Sequence, residues 1–203
     1  MLNTQEKLYH ATKELLRTFD ALPACMIKEW LCSVDELSIK EKDFIGFLKT
    51  MSGIGEIYFN RETDYCSLYY GQQADLFKDC EAFVCMRALG KGEHRIARAS
   101  YPFDYILEHN HVIYQIINFE NEGRYKLRFR KNMDEAHTIS EDIVPIIILI
   151  NRGNDDLREQ DSRGRYSLIP DCDYLIAHVT LKPMLRYEEA YSVSFTRHKG
   201  GTI

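Results

Sequence analysis

The chain has 203 residues, of which 45% are hydrophobic and 28% are charged, a composition typical of a globular protein. Its formal net charge of -5 excludes a protein that grips nucleic acid through bulk charge, so any DNA contact must come from local patches. The longest apolar run, residues 146–150, is too short to span a bilayer, and residues 1–6 lack signal-peptide features. We therefore expect a cytoplasmic protein with no membrane partner.

The first part of the chain predicts three short helices. Apolar residues recur at helical spacing between Leu8 and Phe19, and Pro23 stands at the head of a second helix, where a missing N–H costs nothing. Ser38, followed three residues later by Glu41, predicts a capping box at the start of the third helix. The apolar face of the third helix comprises Phe44, Phe47, Leu48 and Met51.

A β-hairpin follows the three helices. Two aromatic-rich strand patterns, 57–60 and 65–70, flank a polar tip that begins at Arg61. Three helices and a hairpin are the order of a winged helix-turn-helix domain, which we place at residues 1–72. In such a domain the third helix enters the major groove and the hairpin meets the DNA backbone, so the predicted DNA-binding residues are Lys42, Lys49 and Arg61.

Residues 73–203 predict a mixed α/β sheet domain, so that the whole chain is α+β. A helical pattern over residues 73–89 opens this domain. Strand patterns then follow at 94–99, 103–107, 112–119, 124–130, 174–181 and 191–196. Between them, Ile143–Ile150 is a continuous apolar run, which is typical of a strand covered on both faces. Pro145 is expected near the start of that strand, because an interior proline would break the ladder.

The segment 124–130 has the clearest charge pattern in the chain. Its alternation with period two predicts one basic strand face, formed by Arg124, Lys126, Arg128 and Arg130. Such a face can follow a phosphate backbone, where each neutralised phosphate releases counterions. The alternative is a solvated edge strand whose charges prevent pairing between sheets.

One motif in the second half resembles a known fold, and the order of elements along the chain resembles a known family. Pro102-Phe103-Asp104 resembles the proline–aspartate element of the PD-(D/E)xK, restriction-endonuclease-like fold, although Gln115 and Ile117 stand where that family keeps an acid and a lysine. Over roughly residues 4–182, the order of elements resembles the replication-relaxation and MobC-like proteins found beside mobilisation genes. This resemblance implies a non-catalytic DNA-binding accessory or regulatory protein of a bacterial mobile element, with a degenerate nuclease-like domain.

The same resemblance leaves a metal-dependent nuclease open as an alternative. Such enzymes hold Mg²⁺ with two or more acidic groups and place a lysine beside the attacking water. Asp104 and Glu81 would then be metal ligands, with Glu120 as a displaced third ligand and Lys126 as a displaced lysine. A sheet that kept the fold and lost the metal is the preferred interpretation, so neither a catalytic residue nor a metal is predicted.

The remaining motifs suggest no cofactor. We interpret His109-Asn110-His111, between two strand patterns, as a polar hairpin turn rather than a metal pair. The six cysteines lack zinc-site spacing, and no phosphate-binding glycine motif is present. Double-stranded DNA and a DNA-processing protein both stay open as partners. A third alternative is a protein-interaction module, with a homodimer interface formed by Tyr58, Tyr65, Tyr69 and Tyr70.

Overall fold

The structure is a computed structural model. It describes residues 4–72, 74–89, 94–99, 104–118, 143–151, 158–160, 166–168, 174–182 and 190–198. These residues form an α+β protein with four helices and a mixed sheet, divided into two compact units, Met1–Gly92 and Glu93–Ile203. None of the helices within these ranges has the length and apolar character needed to cross a membrane.

The first unit combines four helices with a small sheet. Its elements are α1 (Thr4–Phe19), β1 (Ala21–Pro23), α2 (Ala24–Ser33), α3 (Glu41–Gly53), β2 (Tyr58–Asn60), β3 (Tyr65–Ser67) and α4 (Leu76–Ala88). Strand β3 lies between β1 and β2 and pairs antiparallel with both. The sequence did not predict β1, because three residues between two helices are too few to show the alternation of a strand.

The core of the first unit is built on the helical faces that the sequence predicted. The rings of Phe19 and Trp30 are fully buried and pack with their centroids 5.6 Å apart. Helix α3 buries Phe44, Leu48 and Met51, as its apolar spacing predicted. Burial of these large side chains supplies most of the stabilisation of a unit of this size.

The start of α3 differs from the predicted capping box. The helix begins at Glu41, and its N-cap residue is Lys40, in extended conformation (φ -73°, ψ 147°) and without a side-chain cap. The capping box that starts at Ser38 is therefore wrong. The Glu41 carboxylate instead forms a surface ion pair with Lys28 of α2, which links the start of α3 to the preceding helix.

Helix α4 belongs to the first unit, whereas the sequence placed it in the domain at 73–203. The helix packs against α1 and α2. Three polar contacts reinforce this packing, and they join Lys78 to Asp20 at 2.7 Å, Arg87 to Glu29 at 2.5 Å, and the Tyr65 hydroxyl to Asp79. The division between the units therefore falls after Gly92 rather than after residue 72.

The second unit is built on a six-stranded mixed sheet. The described strands of this unit, which include two outside that sheet, are β4 (His94–Arg98), β5 (Tyr105–His109), β6 (Val112–Asn118), β7 (Ile143–Ile150), β8 (Arg158–Gln160), β9 (Tyr166–Leu168), β10 (Tyr174–Leu181) and β11 (Tyr191–His198). The sheet order is β11-β10-β7-β6-β5-β4, and β8 pairs separately with β9. Strand β7 is parallel to β6 and β10, whereas the other pairs are antiparallel.

Strand β7 lies at the centre of the sheet, as its continuous apolar run predicted. Its residues from Pro145 to Ile150 are all buried. The ladder with β10 begins only at Ile146, which pairs with Leu175, so Pro145 lies beside one paired neighbour rather than two. The prediction that Pro145 lies near the start of the strand is therefore confirmed, and the missing N–H costs little at this position.

The described cysteines differ sharply in their expected reactivity. None of them takes part in a disulfide bond, and they are Cys25, Cys32, Cys66, Cys80 and Cys85. Burial raises the pKa of the Cys66 thiol far above its ordinary value and raises the pKa of Cys80 to about 12, with the nearby carboxylates as the second cause. Cys32, by contrast, is exposed.

We expect a thiol reagent at neutral pH to modify Cys32 rapidly and to spare Cys66 and Cys80 until the protein unfolds. The reason is that the thiolate is the reactive form, and burial both disfavours the thiolate and blocks the reagent. Mass spectrometry of peptides from the native and the urea-unfolded protein measures the modification of each residue. Equal rates at Cys32 and Cys66 in the native protein would contradict the burial of Cys66.

Candidate functional site

The outward face of α3 carries two lysines. Lys42 and Lys49 are exposed and lie opposite the buried face of the helix, which includes Phe44 and Leu48. They are separated by two helical turns, or about 10 Å along the helix axis at 1.5 Å per residue. Gly46 lies between them, and a Cβ atom added there would meet nothing within 4 Å. The face is therefore open to a partner that approaches the helix closely.

The lysines of this face form no ion pair among the described residues, although the exposed acid Asp43 lies next to Lys42. Two of the nearby acids are already paired, Glu41 with Lys28 and Glu56 with Lys13 at 2.5 Å. The local surface of α3 is therefore more positive than the net charge of the chain suggests.

Lys40 is a further cation that the sequence did not predict as part of the site. It is exposed immediately before α3 and forms no ion pair within the described ranges. The prediction that Ser38 opens the helix placed Lys40 inside the first turn rather than at the N-cap. The signal that identifies it is its position in an extended segment directly before the helix.

A groove of about 1010 Å³ lies between α1 and α3. Its wall is mixed, with Tyr9 and His10 from α1 and with Phe47 and Asp43 from α3. Lys42 also borders this groove, so it joins the outward face of α3 to the groove. The groove is open to solvent, and its wall includes both basic and acidic side chains. These features are typical of an interaction surface rather than of an enclosed cofactor site.

The tip of the hairpin presents Arg61 to solvent. The side-chain carbonyl of Asn60 accepts the N–H of Glu62 at 2.9 Å, which stabilises the turn. Asp64 closes the turn with a positive φ of 58°, and its carbonyl accepts the N–H of Ala24 at 2.8 Å. The tip is therefore held against the start of α2, and the exposed Arg61 is positioned by a rigid turn. Arg61 forms no ion pair within the described ranges either.

The ionised carboxyl group of Asp64 destabilises this turn. Partial desolvation of the carboxyl group raises its pKa, although the residue as a whole is exposed, and the nearby charge of Glu41 raises it further. Folding therefore favours the protonated acid, and the ionised form costs stability once the pH has risen above the ordinary range for aspartate. Asparagine is neutral and is one of the few residues that tolerate the positive φ of this position.

We expect Asp64→Asn to raise the urea midpoint of the protein at pH 7, and the gain to shrink as the pH falls toward 4. The sign follows because protonation at low pH removes the carboxylate penalty from the unsubstituted protein. Urea unfolding followed by circular dichroism at both pH values measures the gain. Glu62→Gln, which removes an exposed acid from the same turn, is the matched control and should change the midpoint little. A gain that is equal at both pH values would contradict the prediction.

In the second unit, the predicted site residue Asp104 links β5 to β6. Its Oδ2 atom accepts the N–H of Asn118 at 2.6 Å, and its own N–H donates to the carbonyl of Ile116 at 2.8 Å. Asn118 is fully buried. The Oε1 atom of Gln115 is also buried and accepts no hydrogen bond from the described residues. Asp104 therefore holds a strand junction through its carboxylate.

The other residues predicted for a nuclease site lie in the first unit or outside the described residues. Glu81 is only 3% exposed and lies on α4 in the first unit, whereas Asp104 lies in the second. Glu120 and Lys126 lie outside the described residues. The rest of the basic strand lies outside them too, namely Arg124, Arg128 and Arg130. Within the described ranges, no group of three or more His, Cys, Asp or Glu residues is placed to hold a metal ion.

The segment His109-Asn110-His111 forms a tight turn between β5 and β6. His109 pairs with Val112, and the two residues between them have positive φ angles, 50° at Asn110 and 67° at His111. Two consecutive residues with positive φ are typical of a type I′ hairpin turn. The prediction of a polar hairpin turn is confirmed, and the two histidines do not share one strand.

Comparisons with protein-family models, with curated proteins and with solved structures find no match to this chain. The candidate site therefore depends on its own geometry. That geometry consists of an open helix face with Lys42 and Lys49, an adjacent groove and the rigid hairpin tip with Arg61.

Proposed function

We propose that the first unit is a winged helix-turn-helix domain and that the chain is a non-catalytic protein that binds double-stranded DNA. The element order of helix, strand, helix, helix, strand and strand supports this fold, as does the sheet order β1-β3-β2. Helices α2 and α3 form the helix-turn-helix in this proposal, and the β2–β3 hairpin forms the wing. The ion pair between Lys28 and Glu41 links the recognition helix to its partner helix.

The observation that carries the proposal is the pair of lysines on the outward face of α3. A recognition helix lies in the major groove, which is wide enough to admit an α-helix. Lys42 and Lys49 lie on the face that enters the groove, and Arg61 lies on the tip that meets the backbone. All three are exposed and lack ion pairs within the described ranges, so each has a charge available for a phosphate.

For the second unit, we propose a restriction-endonuclease-like fold that binds DNA or protein without cutting DNA. The antiparallel strands β4, β5 and β6, followed by the parallel strand β7, support this fold. Mg²⁺ is held mainly by carboxylates. At the junction of β5 and β6, the described donors are Asp104, whose carboxylate already accepts a backbone N–H, and the neutral amide of Gln115. These donors do not fit a catalytic Mg²⁺ site.

Fluorescence anisotropy with a labelled duplex of mixed sequence, from low to physiological salt and with or without Mg²⁺, tests this function. We expect binding without cleavage, with a slope of log affinity against log salt of about -3 if three cations neutralise phosphates. Absence of binding even at low salt would make the chain a protein-interaction module instead. Cleavage that requires Mg²⁺ and disappears in Asp104→Ala would assign a nuclease.

A further inference from the structure

Strand β11 forms one edge of the six-stranded sheet. Within the described ranges, no strand pairs with its outer side, and its eight residues include no proline, glycine or lysine. Natural edge strands usually carry such residues, or are short or bulged, because an open edge pairs readily with another chain. The side chains from Ser194 to Arg197 are all exposed, with Phe195 at 38%. The edge therefore has the features of a strand that is built to be paired.

The opposite edge of the sheet has the usual protection. Strand β4 is only five residues long and carries two exposed arginines, Arg95 and Arg98. Pairing of β11 with β4 of another copy would bring these arginines alongside Arg197, and like charges on neighbouring strands repel. It would also be a head-to-tail contact, which tends to extend without closing.

The sequence of β11 is complementary to itself in the antiparallel direction. With a twofold axis at Ser194, Val193 lies opposite Phe195 of the other copy, and Tyr191 lies opposite Arg197. Val193 and Phe195 form an apolar pair, which stabilises neighbouring strands, whereas the Tyr191 ring is buried and offers Arg197 little surface. Only the small Ser194 meets its own copy. An axis at Phe195 would give a ladder of the same length but would oppose Val193 to Arg197, an apolar side chain to a charged one.

We propose that β11 pairs antiparallel with β11 of a second copy of this chain, with Ser194 at the twofold axis, so that two six-stranded sheets become one continuous sheet. The interface is isologous and closes as a dimer, because the same strand serves both partners. The tyrosine-rich hairpin of the first unit plays no part in it. The proposal is independent of DNA binding, and its tests contain no DNA.

A site-directed crosslink tests the register. In a background with Cys32→Ser, which removes the exposed thiol of the described residues, and Cys172→Ser, which removes the cysteine outside them, Ser194→Cys is expected to form a disulfide-linked dimer under mild oxidation. Residues directly opposite on antiparallel strands lie within disulfide range. Ser192→Cys is the matched control, since its own copy lies four residues, or about 14 Å, further along the strand at 3.4 Å per residue. Equal crosslinking of the two variants, or none in either, would overturn the proposed register.

A second measurement tests the dimer itself. Sedimentation of the unsubstituted chain over a range of concentrations is expected to show a monomer–dimer equilibrium. Ser194→Lys should weaken it at least tenfold, because two lysines then face each other across the axis. Ala97→Lys on the opposite edge, also at an exposed position, should leave it unchanged. A monomer at every concentration, an open-ended polymer, or a dimer unaffected by Ser194→Lys would each overturn the proposal.

Discussion

Replacing both Lys42 and Lys49 by glutamate is expected to lower the affinity for duplex DNA roughly 100-fold, at about 1.4 kcal/mol for each lost contact. The two side chains lie on the open face of α3 and are not engaged by acids of the described chain, so no internal contact is lost. The slope of log affinity against log salt should also become less negative by about two, one for each lost phosphate contact.

The matched control for this double substitution is Lys7→Glu with Arg17→Glu. Both residues are exposed on α1, and Arg17 forms only a surface ion pair with Glu14. The control changes the net charge by the same amount but leaves the face of α3 intact. Anisotropy titrations of both variants, with circular dichroism to verify folding, separate a local site from bulk charge. Equal losses in the two variants would remove α3 as the recognition helix.

The parts of the fold that the sequence predicted well are those with a long, uniform pattern. Strands β7 and β10 have the same bounds in the sequence prediction and in the structure, because both are eight-residue segments made mainly of apolar and β-branched residues. The buried face of α3 was predicted for a similar reason, since Phe44, Leu48 and Met51 recur at helical spacing. Local periodicity is sufficient where one face of an element, or both, must be buried.

Helix α4 shows where local patterns are insufficient. Its residues from Asp79 to Met86 are all buried, including the acids Asp79 and Glu81, so no polar face distinguishes inside from outside. The assignment of α4 to the first unit depends on polar partners far away in sequence. One of these contacts, between Lys78 and Asp20, spans 58 residues. A pattern of ten to twenty residues cannot include both Lys78 and Asp20, so the sequence prediction placed the boundary at residue 72, before the helix.

The candidate site divides in the same way. That Lys42 and Lys49 share the outward face of α3 follows from helical spacing alone. Helical spacing does not show whether the adjacent Glu41 neutralises them. That acid is paired with Lys28, which lies thirteen residues earlier in the chain. The sequence showed interleaved charges of both signs. The structure shows that Glu41 and Glu56 are paired, whereas Asp43 and Glu62 form no ion pair among the described residues. The net charge of -5 was therefore a weak guide to the local surface.

Replacing Trp30 by alanine is expected to destabilise the first unit by about 3–5 kcal/mol, the range for truncation of a buried tryptophan or phenylalanine. Trp30 is 1% exposed and packs on Phe19, so alanine would leave a cavity at the junction of α1 and α2. Because whole domains are stable by only about 5–15 kcal/mol, this loss is a large fraction of the total. Urea unfolding followed by far-ultraviolet circular dichroism measures it, since the chain has no other tryptophan.

Two comparisons separate a cavity at Trp30 from a general effect of losing an aromatic ring. Trp30→Phe keeps a ring against Phe19 and should cost less than half as much, because most of the packing volume remains. Tyr69→Ala removes a side chain that is 69% exposed and should change the stability by no more than about 0.5 kcal/mol. Similar shifts for Trp30→Ala and Tyr69→Ala would contradict the packed core. Lys28 and Glu41 link α2 to α3, so unfolding around Trp30 is expected to displace α3 as well. Any loss of DNA binding in Trp30→Ala should therefore match the fraction of the protein that is unfolded.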